Sequence, residues 1–408
     1  MFDFGVIHRS PPTLPSTMKN KAIYDELLRR YRAHFNRDPE VVAYAPGRIE
    51  VIGNHTDYNE GFVCSAAINF GTFFAAARRD TGACRLVAGD LMKEVAFDAS
   101  CAAPSTGDTW SNYVKGVLAG LRERAAVPCG FDGLFLGNIP LGAGLSSSAA
   151  LEISSGLALA RLYGRTIDRL DLAKIGQAAE HRFAGVKCGL LDQISSLFGA
   201  EEMLVETDFR TFAVKNVPLG EDACFLMCNT HARHALVDGE YNRRRAACEE
   251  ARDHFARVLP HPVRALRDVS MEEWRTHRCG LDDGVARRAA HPIGENERVL
   301  AAADALATGD LVRFGQLMFE SHESSRVNFE NSCPELDCLV AAARKIPGVM
   351  GARLSGGGFG GSVVVLVHPR DAETAGAALA NAYAAAFGKP CDVRLIRPSA
   401  GASVVRAG

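Results

Sequence analysis

The chain is most informative at first for what it lacks. Its formal net charge is only −2 over 408 residues, and no basic block breaks the balance, so nothing points to nucleic acid as a partner. No apolar run reaches the ~18 residues that a membrane span requires. Residues Met1 to Pro15 have no basic region followed by an apolar core. They are expected to form a loose tail, running to about residue 18, and not a secretory leader; the expected location is cytoplasmic. Twelve cysteines are scattered without one Cys-x-x-Cys pair, which favours buried thiols in a reducing compartment over disulfides or a zinc site. No linker is rich in proline or serine, and no internal repeat is found. A Walker A loop is missing too, because the nearest Gly-Lys, Gly388-Lys389, runs into Pro390.

What is there is ordinary in bulk. Hydrophobic content of 47% and charged content of 23% describe a chain able to bury a large core. At ~150 residues per domain the length suggests two domains. Apolar periodicity predicts helices over 19–35, 110–124, 149–163, 167–182, 190–197, 240–258, 334–345 and 373–387, with a helical region over 285–324. Strands are expected over 41–44, ending at Pro46-Gly47, and over 62–69, 72–78, 85–88, 94–97, 203–208, 213–217, 224–229, 353–355 and 363–368, with a last strand over 392–397. Cys224 and Cys228 are even-spaced and would share one strand face. Strands and helices mix without a βαβ rhythm, so the expected class is α+β, dividing near the strands after Asp208.

One stretch organises the rest: Ile139-Pro140-Leu141-Gly142-Ala143-Gly144-Leu145-Ser146-Ser147-Ser148-Ala149-Ala150. A strand ends, two glycines free the backbone, three hydroxyls follow, and a helix begins. Free N–H groups and the positive end of a helix dipole then face one place, which suits a phosphate. Serines before a helix also serve simply as caps.

Three further centres stand out. Gly356-x-Gly358-x-x-Gly361 matches the dinucleotide fingerprint formally, but the strand Val363 to Val367 follows it where a helix is needed. A glycine hairpin that lets backbone approach a ligand or a facing loop is the better reading. Arg48 with His55-Thr56-Asp57-Tyr58 packs a cation, an imidazole, a carboxylate and a phenol between glycines, which suits a polyhydroxylated ligand or a solvated loop. Asp192 and Gln193 lie inside the apolar segment Leu190 to Leu197, after Glu180-His181 and Cys188-Gly189. A carboxylate there either has a chemical task or caps a helix.

Taken together, these motifs resemble the GHMP sugar and metabolite kinases, and within them the galactokinase family. Ala45-Pro46-Gly47-Arg48-Ile49-Glu50-Val51-Ile52-Gly53-Asn54-His55-Thr56-Asp57-Tyr58 is similar to the family's sugar signature. Pro140 to Ala150 is similar to its phosphate loop, and Leu354 to Gly361 to its third motif. Connecting pieces match as well: Trp110 to Gly116, Arg233 to Leu236, and Glu320-Ser321-His322 with Cys333 to Asp337.

The resemblance implies a two-domain α+β fold: an S5-domain-2-like α/β unit over 19–215 and a ferredoxin-like α+β unit over 216–408, with the site between them. It implies ATP and Mg²⁺, a small-molecule sugar substrate phosphorylated on its anomeric hydroxyl, no nucleic acid, no membrane, and a monomer. By position Asp192 matches the catalytic aspartate, and Arg48 the arginine beside it. Ser148 and Glu180 match metal ligands. Gly142, Gly144, Ser146 and Ser147 belong to the phosphate loop, and Trp110 and Tyr113 to the adenine side. Asn54, His55, Asp57, Gly189 and Tyr241 match the sugar contacts. One departure matters. The family carries Glu where this chain has Asn54, and Asn where it has Glu50. Because an amide donates where a carboxylate only accepts, galactose is the leading substrate and another hexose the alternative. A sugar sensor built on a dead kinase would need a damaged loop, and here Ser146 to Ala150 and Asp192 are complete.

Overall fold

The computed structural model describes residues 18–101, 103–124, 129–140, 142–233 and 237–407. The expected tail, apart from Met18, and His234 to Leu236 lie outside them. The first half of the chain runs α1 (Met18–Phe35), β1 (Val41–Ile52), β2 (Phe62–Arg78), β3 (Ala83–Ala88), β4 (Lys93–Asp98), α2 (Asn112–Arg124), β5 (Phe131–Gly137), α3 (Ser147–Leu162), α4 (Arg169–Ala179), α5 (Leu191–Phe198), β6 (Met203–Asp208) and β7 (Ala213–Pro218). The second half runs β8 (Cys224–Arg233), α6 (Val237–Val258), α7 (Met271–His277), α8 (Asp283–Ala307), α9 (Leu311–Ser324), α10 (Pro334–Ala343), β9 (Val349–Ser355), β10 (Gly360–Val367), α11 (Ala372–Phe387), β11 (Asp392–Ile396) and β12 (Ser403–Ala407).

The larger sheet has the order β12-β1-β2-β5-β3-β4, with β6 on β2 and β7 on β6. Its pairs are antiparallel except β3 with β5. Alternate β1 residues point to opposite faces, as a pleated strand requires. Val42 and Tyr44 join Leu27 and Tyr31 of α1, whereas Val41, Ala43 and Ala45 join the core under α2, α3 and α4. Being covered on both sides, β1 is buried along its whole length. The smaller sheet, β11-β8-β10-β9, is wholly antiparallel and packs against α10 and α11. Cys224 and Cys228 share that core, and the eleven cysteines other than Cys101 are all free. No helix among the described residues is long and apolar enough to cross a membrane.

Four departures from the sequence reading have local causes. β1 does not end at Pro46-Gly47: its pairing with β2 skips a residue between Pro46 and Arg48 and then continues. Proline has no N–H to give the ladder. Gly47 is required because a Cβ there would stand 2.5 Å from the Leu145 carbonyl. The two strands expected over 62–78 are one, since β1 pairs with residues on both sides of the expected break, from Cys64 to Ala76. Helix α7 went unforeseen, although Ser270 and Glu273 form a capping box at its start. Most importantly, the strand over 392–396 is not the last. β12 follows it and returns to pair with β1, so a cut at residue 215, which falls inside β7, does not separate two closed units. The shared sheet ties the end of the chain to the strand that carries Arg48.

Candidate active site

The loop between β5 and α3 turns on Gly142 (φ 70°), Gly144 (φ 71°) and Ser146 (φ 58°). Ser146 occupies the position before the first turn of α3, but its hydroxyl makes no cap. It bonds Asp192 Oδ2 instead. The capping alternative is thereby answered for this serine, and the first N–H groups of α3 have no side-chain acceptor. The loop is pinned from two directions. Arg48 donates its backbone N–H to Leu145 O at 3.1 Å and Nη1 to Gly144 O at 2.6 Å. From β10, Ser362 Oγ donates to Ala143 O at 2.6 Å. The glycine run 356–361 thus faces the phosphate loop: a Cβ on Gly356 would lie 3.4 Å from Gly144 O.

Asp192 sits in the first turn of α5, with its side chain 26% exposed at the seam between loop and signature. Arg48, almost buried, reaches Oδ1 through Nε at 2.7 Å and Nη2 at 2.6 Å. One carboxylate is therefore held at both oxygens, by a guanidinium and by the phosphate-loop serine.

Next to it lies an acidic pair. Glu180 opens a single π-helical turn, Glu180–Ala184, after α4, and its carboxyl is pushed up to about 7 by burial, with the nearby Asp192 adding and the Ser148 hydroxyl opposing. Glu152, one turn beyond Ser148 on α3, is driven well above the carboxylate range by burial and by Glu180. Gln193 Nε2 donates to its Oε2 at 2.9 Å. Glu152 was not singled out from sequence, yet a carboxylate within the apolar run Ala149 to Leu159 is a readable signal.

Asp57 closes the other side. Burial pushes its carboxyl up to about 7, reinforced by Glu50 and Asp192, while the Tyr58 N–H at 2.9 Å works against the shift. Gly189 packs directly on it, and burial plus the charges of Asp57 and Asp192 raise the Tyr241 phenol well above its ordinary range, which puts all of these groups in one site. His55 and Asn54 lie deeper. His55 stacks on Phe329 at 4.3 Å, with Nδ1 on Tyr58 Oη at 2.9 Å and Nε2 on Gly357 O at 3.3 Å, and burial holds its ring neutral, down at about 3. Asn54 gives Nδ2 to Glu50 Oε1 at 2.8 Å and to Gly356 O at 2.9 Å, and its Oδ1 accepts from Asn331 at 3.0 Å. Trp110 and Tyr113 lie half-buried against the first core, the Trp110 ring 5.9 Å from Phe135 of β5 and its Nε1 without a partner.

A glycine-serine loop at a helix start, one gripped carboxylate beside it and a buried acidic pair meet at the seam of two sheets. The GHMP kinase N-terminal domain matches residues 112–200, and the GHMP kinase C-terminal domain matches residues 302–385, which sets the class. The galactose-binding signature of galactokinases matches residues 29–78. A galactokinase of Pasteurella multocida is 39% identical over 382 residues, spanning 92% of this chain and 98% of its own. One from Mannheimia succiniciproducens is 40% identical, spanning 88% and 93%. Among solved structures, Lactococcus lactis galactokinase complexed with galactose superposes with a TM-score of 0.89 at 33% identity, over 93% of this chain and 99% of that one. The chain belongs to the galactokinase family of the GHMP kinases.

Proposed function

We propose that this chain transfers the γ-phosphoryl group of ATP to the anomeric hydroxyl of galactose, forming galactose 1-phosphate. The observation that carries the reading is the Asp192 carboxylate, gripped by Arg48 and by Ser146 of the phosphate loop. Any hydroxyl that approaches Asp192 arrives beside the start of α3, where the N–H groups without side-chain acceptors suit the β- and γ-phosphates. Asp192 accepts the proton of the anomeric hydroxyl, or orients that hydroxyl if transfer is loose. Arg48 touches both the carboxylate and the Gly144 carbonyl, so its charge lies where negative charge crosses from phosphate to sugar. Asp57, Gly189 and Tyr241 line the sugar side, with Asn54 and His55 supporting them from below. Trp110 and Tyr113 serve the adenine side, with the Trp110 ring set against Phe135 of β5.

Ser148 and Glu180 would hold Mg²⁺. The donor set fits: two hard oxygens in hydrogen-bond contact, with a second carboxyl behind them. No group of three acidic, histidine or cysteine side chains suited to a metal occurs among the described residues. Magnesium commonly takes one or two protein oxygens and completes its shell with phosphate and water. When bound it supplies charge to offset that of the phosphate oxygens. The enzyme is taken to act in the cytoplasm as a monomer.

A hexose other than galactose is the second reading. It is favoured by Asn54, whose amide spends both its acceptor and its donors on the protein. An ATP-coupled screen of galactose, glucose, mannose, N-acetylgalactosamine and arabinose, with the product's phosphate position read by phosphorus NMR, decides between them. Galactose 1-phosphate as the main product is expected; preference for another sugar would replace galactose in the reading.

A further inference from the structure

The turn that carries His55 and Asp57 does not hold its own shape. Gly53 has φ 107° and His55 φ 61°, the latter a left-handed conformation that a residue with a Cβ adopts only where its surroundings over-determine it. Much of that determination comes from α8, 242 positions along the chain. Glu295 has no exposed surface. Its Oε1 accepts the N–H groups of Gly53 at 3.0 Å and Asn54 at 3.2 Å, together with the Ser321 hydroxyl at 2.5 Å. Its Oε2 accepts from Arg298 at 2.6 Å. One turn earlier on α8, His291 bonds the Asn54 carbonyl through Nε2 at 3.1 Å and the Ser324 hydroxyl through Nδ1 at 3.0 Å. A carbonyl only accepts, so Nε2 carries the hydrogen and Nδ1 accepts. Both the N–H and the C=O of Asn54 are thus tied to one helix.

A buried carboxylate left without partners would be expensive, and this one is satisfied by two backbone donors of the turn, a hydroxyl and a guanidinium. We infer that Glu295 is a positioning residue for sugar binding: by holding the Gly53 and Asn54 N–H groups it sets the direction from which Asp57 meets the sugar. This rests on the reading of residues 53–57 as the sugar turn. Glu295 touches neither substrate. Its effect passes through the backbone to Asp57, so it belongs to the sugar half of the reaction and not to the phosphate half, which Arg48 and Ser362 pin separately.

The test is a split in kinetic constants. Glu295→Met keeps nearly the size but removes the oxygen that accepts both turn N–H groups. The sugar KM is expected to rise about tenfold or more, with kcat and the KM for ATP within about twofold of wild type. Because Arg298 loses its counterion in that variant, Glu295→Met/Arg298→Met is the companion that leaves no unpaired charge, and the same rise in sugar KM is expected. A soluble, folded variant of either kind with a sugar KM within about twofold of wild type overturns the inference, even if its Tm has fallen. Asp57→Asn distinguishes the two levels. If it raises the sugar KM while the Glu295 variants do not, the positioning role falls and the sugar turn stands. If Asp57→Asn leaves the sugar KM unmoved as well, the sugar turn itself is misassigned.

Discussion

Gly189 has no room for a β-carbon because Asp57 already fills that space: a Cβ would lie 1.7 Å from Asp57 Oδ2. The requirement is steric and not conformational, since Gly189 is not among the residues at positive φ. Gly189→Ala must therefore displace the Asp57 carboxylate. The expected result is a sugar KM raised ~10²-fold, the usual cost of a misplacement near 1 Å, with the KM for ATP little changed. Equal loss on both substrates would mean that the two residues do not form a sugar-side contact.

Asp57 also predicts a pH dependence of stability. Its folded carboxyl is raised to about 7 from an ordinary 3.8, so the folded protein holds this proton more tightly than the unfolded chain. Below the unfolded value both states are protonated and nothing is lost. Between the two values stability falls as pH rises, by up to about 1.4 kcal/mol per unit, and above about 7 the loss is constant. Asp57→Asn is expected to melt higher than wild type at pH 8, with the gap closing towards pH ~4, while sugar binding is lost. Thermal melts across that range check it; a gap of the opposite sign would remove the buried-carboxyl account.

For Asp192 the expectation is kinetic. Asp192→Asn keeps an acceptor for Arg48 but no longer takes a proton, so turnover should drop at least ~10²-fold while sugar binding stays within several-fold. Isothermal titration with galactose beside steady-state turnover separates the two effects. Near-normal turnover would exclude Asp192 from proton handling.

The Glu50–Asn54 pair gives a stability prediction beside the substrate expectation drawn from sequence. Arg353, fully buried, bonds Glu50 Oε1 at 3.0 Å, and the same oxygen accepts from Asn54. Asn54→Glu would set a second buried carboxylate against Glu50 and remove both donors of the amide. We expect a loss of about 3 kcal/mol or more, comparable to breaking a buried ion pair. Glu50→Asn/Asn54→Glu, which restores one carboxylate and one amide, should recover much of it. Urea denaturation of the two single variants and the double variant measures the coupling; strict additivity would deny that the residues act as a pair.

The parts of the candidate site that are contiguous in the chain could be singled out before any coordinates. Two glycines and three serines between an apolar strand and an apolar helix read as a phosphate loop because backbone freedom, hydroxyls and a helix start depend only on local order. The same holds for Arg48 and Asp57, close together on one strand and turn, and for Asp192, conspicuous as an acid among Leu190, Leu191 and Ile194. Legibility stopped where two distant pieces share one hydrogen-bond valence. Ser146 looked equally able to cap α3, and only the approach of Asp192 turned its hydroxyl away. Asn54 stands out in the motif as a departure, but the bonds of its amide to Glu50, Gly356 and Asn331 appear only in the fold.

Motif content and order alone determined the family, and local order alone singled out the glycine-serine loop and the acidic residue beside it, since each is written in neighbouring residues. The return of β12 to β1, the steric pairing of Gly189 with Asp57, and the grip of Glu295 on the Gly53 and Asn54 N–H groups were decided only by the tertiary structure. Each joins segments with no shared periodicity, and a buried donor pairs with whichever acceptor the packing brings within about 3 Å.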